Sequence, residues 1–222
     1  NNMCGILASF KTTIKEKNNK KEKEIPSESS NEFIINQYQD QYRRGQEGFG
    51  ILRIDKKGKI ELDRACEPIK FMIDLYTKQS DMIIAHHRTP TSTANFLDQT
   101  HPILVSNKLL QFDYYVVHNG VIMNDDELLK KHKELGFKYT TEYNELPTYT
   151  GYTIKQKFND SECIAIELAL FIENKVNAIG LDNAAALVVL QVDKEKNLAT
   201  KVFYGKNGIT SDLNISKSRG EL

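Results

Sequence analysis

Met3-Cys4-Gly5-Ile6-Leu7 stands almost at the head of the 222-residue chain, and its second residue sets how the remainder is read. Once the residues ahead of it are removed, Cys4 carries a thiol and a free α-amino group on one carbon. A thiol titrates near about 8.5 and an α-amino group near about 7.7–8.0, so the amine is matched to accept the thiol proton near neutrality. Activation of a nucleophile by an N-terminal amine is an established arrangement. Taken alone, Cys4 is as well explained as a small apolar residue opening a buried strand.

Composition narrows the field before any motif is used. Lysine plus arginine number 30 and aspartate plus glutamate also 30. Bulk charge therefore selects neither nucleic acid nor an anionic membrane, and neither partner is expected. Cys4, Cys66 and Cys163 lie far apart, without metal-ligand or disulfide-rich spacing, which suits a reducing compartment and a cytoplasmic location. No apolar run is long enough to span a bilayer, and no basic-then-apolar leader opens the chain. Asn1-Asn2-Met3 reads as a short propeptide or a remnant of recombinant expression. Either blocks the amine, so the chain as written is expected to be an inactive precursor.

Outward from Cys4, residues 6–10 read as a short apolar strand and residues 11–30 as a charged surface loop with too little apolar content to order itself. Phe33, Ile34, Tyr38 and Tyr42 recur at helical spacing, with Asn31 as N-cap and Gly45 as stop. Residues 49–54 alternate like a strand and turn at Lys57-Gly58 into residues 60–62. Residues 71–76 have helical spacing. Met82-Ile83-Ile84-Ala85 is a short strand that delivers His86-His87-Arg88 at its end. Residues 109–118 read as two strand pieces about Asp113, followed by Asn119-Gly120. Asn124 caps a helix that closes at Gly136. Residues 139–158 form a second long loop. Asp160 caps a helix whose Ile164, Leu168, Phe171 and Ile172 make a core-facing stripe. Residues 184–192 and 199–204 pair as a hairpin turning near residues 195–197. Strands and helices in alternating blocks with short connections predict an α+β fold with largely antiparallel sheets covered by helices.

Five stretches carry the chemistry. They are Met-Cys-Gly-Ile at 3–6, Arg-Arg-Gly-Gln-Glu-Gly-Phe-Gly-Ile at 43–51, Ala-His-His-Arg-Thr-Pro-Thr at 85–91, Val-His-Asn-Gly-Val-Ile at 117–122 and Asp-Ser-Glu at 160–162. In this order and spacing they resemble the class II glutamine amidotransferases. The likeness is to N-terminal-nucleophile glutaminase domains such as those of phosphoribosylpyrophosphate amidotransferase and glucosamine-6-phosphate synthase. The resemblance implies a four-layer αββα sandwich, two mainly antiparallel sheets flanked by helices, forming one glutaminase domain over residues 4–222. It implies that Cys4 attacks the side-chain amide of L-glutamine, forms a γ-glutamyl thioester and is released by water, with no metal or cofactor.

By the same resemblance, Asn119 through its side-chain amide and Gly120 through its backbone N–H form the oxyanion hole. Read without it, Asn119-Gly120 is equally the dipeptide of a tight type I′ turn. Glutamine presents a carboxylate and an ammonium, which call for a guanidinium fork and a carboxylate. Arg88 and Asp160 match those family positions. Thr91 and the backbone around Thr89 line the loop that closes over substrate. Arg44, Gly45 and His86 match supporting positions, and His87, His101, His118 and His132 receive no role. Thr89-Pro90 departs from the bulky aromatic that many members place after the arginine. Only residues 205–222 follow Tyr204, so ammonia is expected to pass to a separate acceptor enzyme. Two other readings stay open: an N-terminal-nucleophile hydrolase of another γ-glutamyl or amide substrate, and a non-catalytic glutamine-binding or partner-binding module.

Overall fold

In the computed structural model, the described residues are 4–10, 37, 41–67, 80–90, 93, 95–143, 157–182 and 185–207. They form eight strands and two α-helices. The strands are β1 (Gly5–Phe10), β2 (Gly48–Ile54), β3 (Ile60–Ala65), β4 (Met82–Arg88), β5 (Ile103–Val105), β6 (Phe112–Gly120), β7 (Ala185–Asp193) and β8 (Leu198–Asn207). The helices are α1 (Asp125–Glu134) and α2 (Asp160–Ile172). Two four-stranded sheets result, ordered β1-β4-β2-β3 and β5-β6-β7-β8. Every pairing in both is antiparallel.

Period-two alternation tells each strand which layer it faces. On β6, Tyr114 and Val116 join a core shared with α1 and α2, whereas Val117 joins a second core with Leu52, Ile54 and Ile84 of the first sheet. On β7, Val189 faces the helices while Val188, Leu190 and Val192 face the first sheet. The described layers are therefore sheet, sheet and helix. Ile51, Ile83 and Ala85, which point the other way from the first sheet, are also fully buried. The predicted helices over 31–45 and 71–76 lie mostly or wholly outside the described residues, as does the charged stretch 11–30.

Gly50 shows why side chains must vanish where the sheets meet. A Cβ on it would collide with the backbone oxygen of His101, so only glycine lets β2 approach that segment. The β2–β3 turn uses Gly58 at φ 82, and the β7–β8 turn uses Asn197 at φ 52.

Several expectations need correction. β4 continues through Arg88, because Gly48↔Arg88 and Gly5↔His87 extend its ladders on both sides. The histidines thus lie within a central strand rather than beyond its end. β6 is one strand, not two: Asp113 pairs across to Val192 without a break. Asn124 holds the N-cap position of α1 and its carbonyl accepts from Leu128 N, but its side chain makes no cap bond, since its amide is spent between Gly180 O and Asp182 N. The cap of α2 is Asn159, whose side chain accepts from Ser161 N at 3.0 Å, and Asp160 is the first helical residue. Nor does α2 carry a single stripe: residues 161–170 are all buried while Phe171 is exposed. The helix is covered on its other sides by α1 and by Phe137, Tyr139, Phe158 and Ile179.

The helical layer is held by ionic contacts as well as by packing. Glu167 of α2 is fully buried and accepts from His132 Nε2 at 2.7 Å, Lys131 Nζ at 2.8 Å and Gly180 N at 3.0 Å. Burial alone pushes this carboxylate up, but those hydrogen bonds prevail and hold it down at about 2. The sign follows: the stabilisation is complete above the ordinary carboxylate range and is lost as pH falls toward about 2. Glu167→Ala is expected to destabilise the fold by about 3–5 kcal/mol near neutrality, because it strands buried donors. In urea denaturation followed by circular dichroism, the gap between variant and parent should shrink as pH is lowered from 5 toward 2.

Candidate active site

Four element ends converge beside the sheet-to-sheet seam. Cys4 sits immediately before β1, Thr89 immediately after β4, Gly120 ends β6, and Asp160 opens α2. The first two meet because the β1–β4 ladder ends at Gly5↔His87, where one further antiparallel step sets Cys4 opposite Arg88 and hence beside the next residue, Thr89. Cys4 Sγ receives Thr89 N–H at 3.4 Å and lies 3.6 Å from Thr89 O. The Cys4 carbonyl accepts from Arg44 Nε at 3.1 Å and from Asn119 Nδ2 at 2.9 Å. Cys4 is thereby fixed through both its side chain and its main chain.

An open cleft is lined by Cys4, Arg88, Thr89, Gly120 and Asp160, and by His118 and Ser161. Arg88 is buried, and its guanidinium donates to Thr93 Oγ1 at 2.7 Å and Asn95 Oδ1 at 2.8 Å. Asp160 Oδ2 accepts from Ile122 N at 2.9 Å. Gly120 adopts φ 151, a conformation that favours glycine, at the last position of β6, still paired with Ala185; it is not the second residue of a tight turn.

Arg44 and Gly45 form a tight turn after residues 41–42, through Arg44 N to Gln41 O and Gly45 N to Tyr42 O. A Cβ at Gly45 would come within 2.7 Å of the backbone of His87 and Arg88, so glycine is needed for this turn to lie against β4. That contact aims Arg44 at Cys4. The Thr89 hydroxyl lies 2.9 Å from Arg44 O and 3.2 Å from Glu47 Oε2. Of the sequence-predicted residues, Thr91 lies outside the described residues. Asn119 braces the cysteine from the second sheet, and His86 spans the two sheets through Nε2 to His118 O at 3.2 Å.

Electrostatics here are set by burial. Desolvation pushes the Cys4 thiol above its ordinary value, against the Thr89 N–H and the Arg88 charge, while Asp160 and Glu47 raise it further. Burial also lowers the histidines: His118 to about 4, and His86 and His101 well below the ordinary value. They form a neutral polar wall. Among the described residues no imidazole or carboxylate hydrogen-bonds the thiol, so none of them is placed as its base. Burial likewise pushes Asp160 up to about 6, with Asp125 adding to it and the Ile122 N–H opposing.

Sequence reasoning passed over Glu162, although it stands in one of the quoted stretches. Its buried carboxylate accepts from Thr140 N at 2.7 Å, Thr141 N at 2.8 Å and both threonine hydroxyls, at 3.1 Å and 2.6 Å. The predicted loop over 139–158 is therefore anchored at both described ends: Tyr139 and Phe158 are core residues, and Tyr143 N donates to Lys157 O at 2.9 Å. The signal was the Thr140-Thr141 pair, twenty and nineteen residues before the start of the helix, which has no periodicity to reveal it. Thr93 and Asn95 were also missed. Among the described residues, no group of three metal-ligating side chains is assembled, and no helix is long and apolar enough to cross a membrane.

No family model matches the chain. The 7-cyano-7-deazaguanine synthase of Saccharolobus solfataricus is 29% identical over 94 residues, covering 40% of this chain and 20% of that protein. Among solved structures, glutamine phosphoribosylpyrophosphate amidotransferase of B. subtilis, complexed with ADP and GMP, aligns with a TM-score of 0.50. It is 16% identical over 86% of this chain and 36% of that one. A structure described as the allosteric regulatory enzyme of purine biosynthesis aligns at TM-score 0.46 and 20% identity, over 68% of this chain and 30% of its own. The chain thus spans about a fifth of the curated relative and about a third of each solved chain. The B. subtilis likeness is one of fold: α+β, with two antiparallel four-stranded sheets and two described helices.

Because the thiol is held neutral, alkylation of Cys4 by iodoacetamide in the full chain is expected to be several-fold slower at pH 7.5 than that of free cysteine. Its rate should still be rising at a pH where free cysteine has levelled off. Peptide mass spectrometry across a pH series reads both.

Proposed function

We propose that the chain is a glutaminase of the N-terminal-nucleophile type, hydrolysing the side-chain amide of L-glutamine through Cys4. The observation that carries this reading is the placement of the Cys4 thiol, fixed by Thr89, in one cleft with Arg88 and Asp160. Guanidinium and carboxylate match the two charges on the α-carbon of glutamine. The thiol lacks a described side-chain base, which favours the amine it would gain on becoming N-terminal. The proposed domain begins at Cys4, and the buried outer face of the first sheet supports a fourth, helical layer there.

In the proposed reaction the α-amine takes the thiol proton and the sulfur bonds to the amide carbon. The carbonyl becomes an oxyanion, to which Asn119 Nδ2 and Gly120 N–H are assigned as donors. The carbon–nitrogen bond then breaks, and the amine returns the proton so that ammonia leaves. Water adds to the thioester with the amine again as base, releasing glutamate and restoring the thiol. The balance is glutamine plus water to glutamate plus ammonia. Asn119 holds Cys4 through one donor of its amide, so position and oxyanion stabilisation share a residue. Removing such a donor costs about 10²- to 10³-fold in rate. The names of the relatives, a synthase and an amidotransferase, support use of the ammonia in a synthetic reaction; its acceptor in this reading is a separate cytoplasmic enzyme.

A chain engineered to begin at Cys4 is expected to release glutamate from glutamine, while the chain retaining residues 1–3 and a Cys4→Ala control stay at background. Glutamate release by all three at equal rate would overturn the role of Cys4. A second outcome concerns pH. Asp160 must be ionised to hold the substrate ammonium, and it protonates on descent through about 6. The value of kcat/KM should therefore fall about tenfold per pH unit below that point, and Asp160→Asn should remove substrate affinity at every pH.

A further inference from the structure

The Cys4 sulfur is met by both backbone polar groups of a single residue. Thr89 N–H donates to Sγ at 3.4 Å, and Thr89 O lies 3.6 Å from the same atom. Yet Thr89 stands past the last ladder pairs of β4, Gly5↔His87 and Gly48↔Arg88. Pro90 follows it and has no N–H with which to anchor the chain. Two other contacts do the holding. Glu47 N donates to Arg88 O at 3.1 Å, and that carbonyl shares a planar trans peptide with the Thr89 N–H, which therefore points the opposite way, at the sulfur. The Thr89 hydroxyl lies 2.9 Å from Arg44 O and 3.2 Å from Glu47 Oε2, a carbonyl and a carboxylate, so it is the donor. Arg44 also holds the Cys4 carbonyl through Nε at 3.1 Å. One residue thus grips both the nucleophile and the residue that meets its sulfur.

We propose that Thr89 is a positioning residue whose hydroxyl keeps its own N–H and C=O turned to Cys4 Sγ. Which reaction this serves rests on the glutaminase reading. With the peptide clamped at Arg88 O and the side chain clamped at Oγ1, two of the three heavy-atom branches of the Thr89 Cα are fixed. The third, which bears the carbonyl, follows them. The two backbone groups act at different stages. Thr89 O accepts the proton of the neutral thiol, and the N–H supports the sulfur once it is negative, when the charged acceptor makes that bond stronger. Valine has the shape of threonine without the donor. It would leave Arg44 O and Glu47 facing a methyl group and let residue 89 turn from the sulfur. Serine keeps the hydroxyl.

Alkylation of Cys4 by iodoacetamide is followed by peptide mass spectrometry from about pH 7 to about pH 11, in the full chain and in its Thr89→Val, Thr89→Ala and Thr89→Ser variants. The midpoint of the rate curve reports how well the thiolate is held, and the limiting rate reports access. In Thr89→Val and Thr89→Ala the midpoint is expected to rise by about half a unit to one unit, which slows the reaction near neutrality about three- to tenfold. Thr89→Ser should stay within about twofold of the parent at every pH. Thr89→Ala guards against a packing fault peculiar to valine. An unmoved midpoint in both hydroxyl-free variants, a change confined to the limiting rate, or a serine variant that behaves like valine would each overturn the proposal. Glutamate release from a Cys4 start is scored separately. There Thr89→Val should lower kcat about tenfold with KM within about twofold. A parent that releases no glutamate refutes the glutaminase reading, while the shifted midpoint leaves the role of Thr89 standing.

Discussion

One carbonyl oxygen ties the molecule's two halves together. The main-chain oxygen of Cys4 accepts from Arg44, which precedes the first sheet's β2, and from Asn119, near the end of the second sheet's β6. Each donor reaches it only because its own backbone is already placed: Arg44 by a glycine turn pressed on β4, Asn119 by an unbroken ladder to β7. Two hydrogen bonds on one acceptor are individually worth about 1 kcal/mol, and the Arg44 bond somewhat more. Their larger effect is geometric, since they set the rotation of the residue that carries the thiol. The sandwich core of Leu52, Ile84, Val117 and Val188 holds the sheets at the separation that lets both donors arrive.

The interior beside this point is polar but not charged. His86, His101 and His118 pack between the sheets, with His118 N donating to His101 Nδ1 at 3.2 Å and His118 Nδ1 2.8 Å from Ser161 Oγ. Burial keeps all three neutral, so they stitch backbone and side chains together without opposing Arg88 with like charge. The separation of tasks is clear: neutral groups hold shape, and Arg88 and Asp160 hold charge of opposite sign at the cleft.

Much of this was legible in sequence where period or chemistry is local. The alternation of residues 49–54, the Lys57-Gly58 turn and the helix at 160–172 all announced themselves, and the five short motifs named most of the residues that converge. Boundaries failed where polar residues continue a ladder: His86, His87 and Arg88 look like a strand end but are paired on both sides. The cap of α2 was misplaced by one residue because Asn159 and Asp160 are both good caps and only the backbone bond to Ser161 distinguishes them. The burial of α2 on every side could not be read either, since it depends on Tyr139 and Phe158 arriving from a segment with no pattern. Asn95 and Glu162 act through bonds to distant partners, and no spacing rule exposes such pairs.

The Glu162 clamp has a consequence for how this chain can change over evolutionary time. Two consecutive threonines are locked to the first turn of α2 by four hydrogen bonds, and Tyr143 N donates to Lys157 O. The carboxylate that makes all four bonds lies two residues from Asp160 on the same helical turn. Exchange of Glu162 would therefore release both threonines and unsettle the cleft in a single step, so drift at this one position is expected to be the slowest in the helical layer.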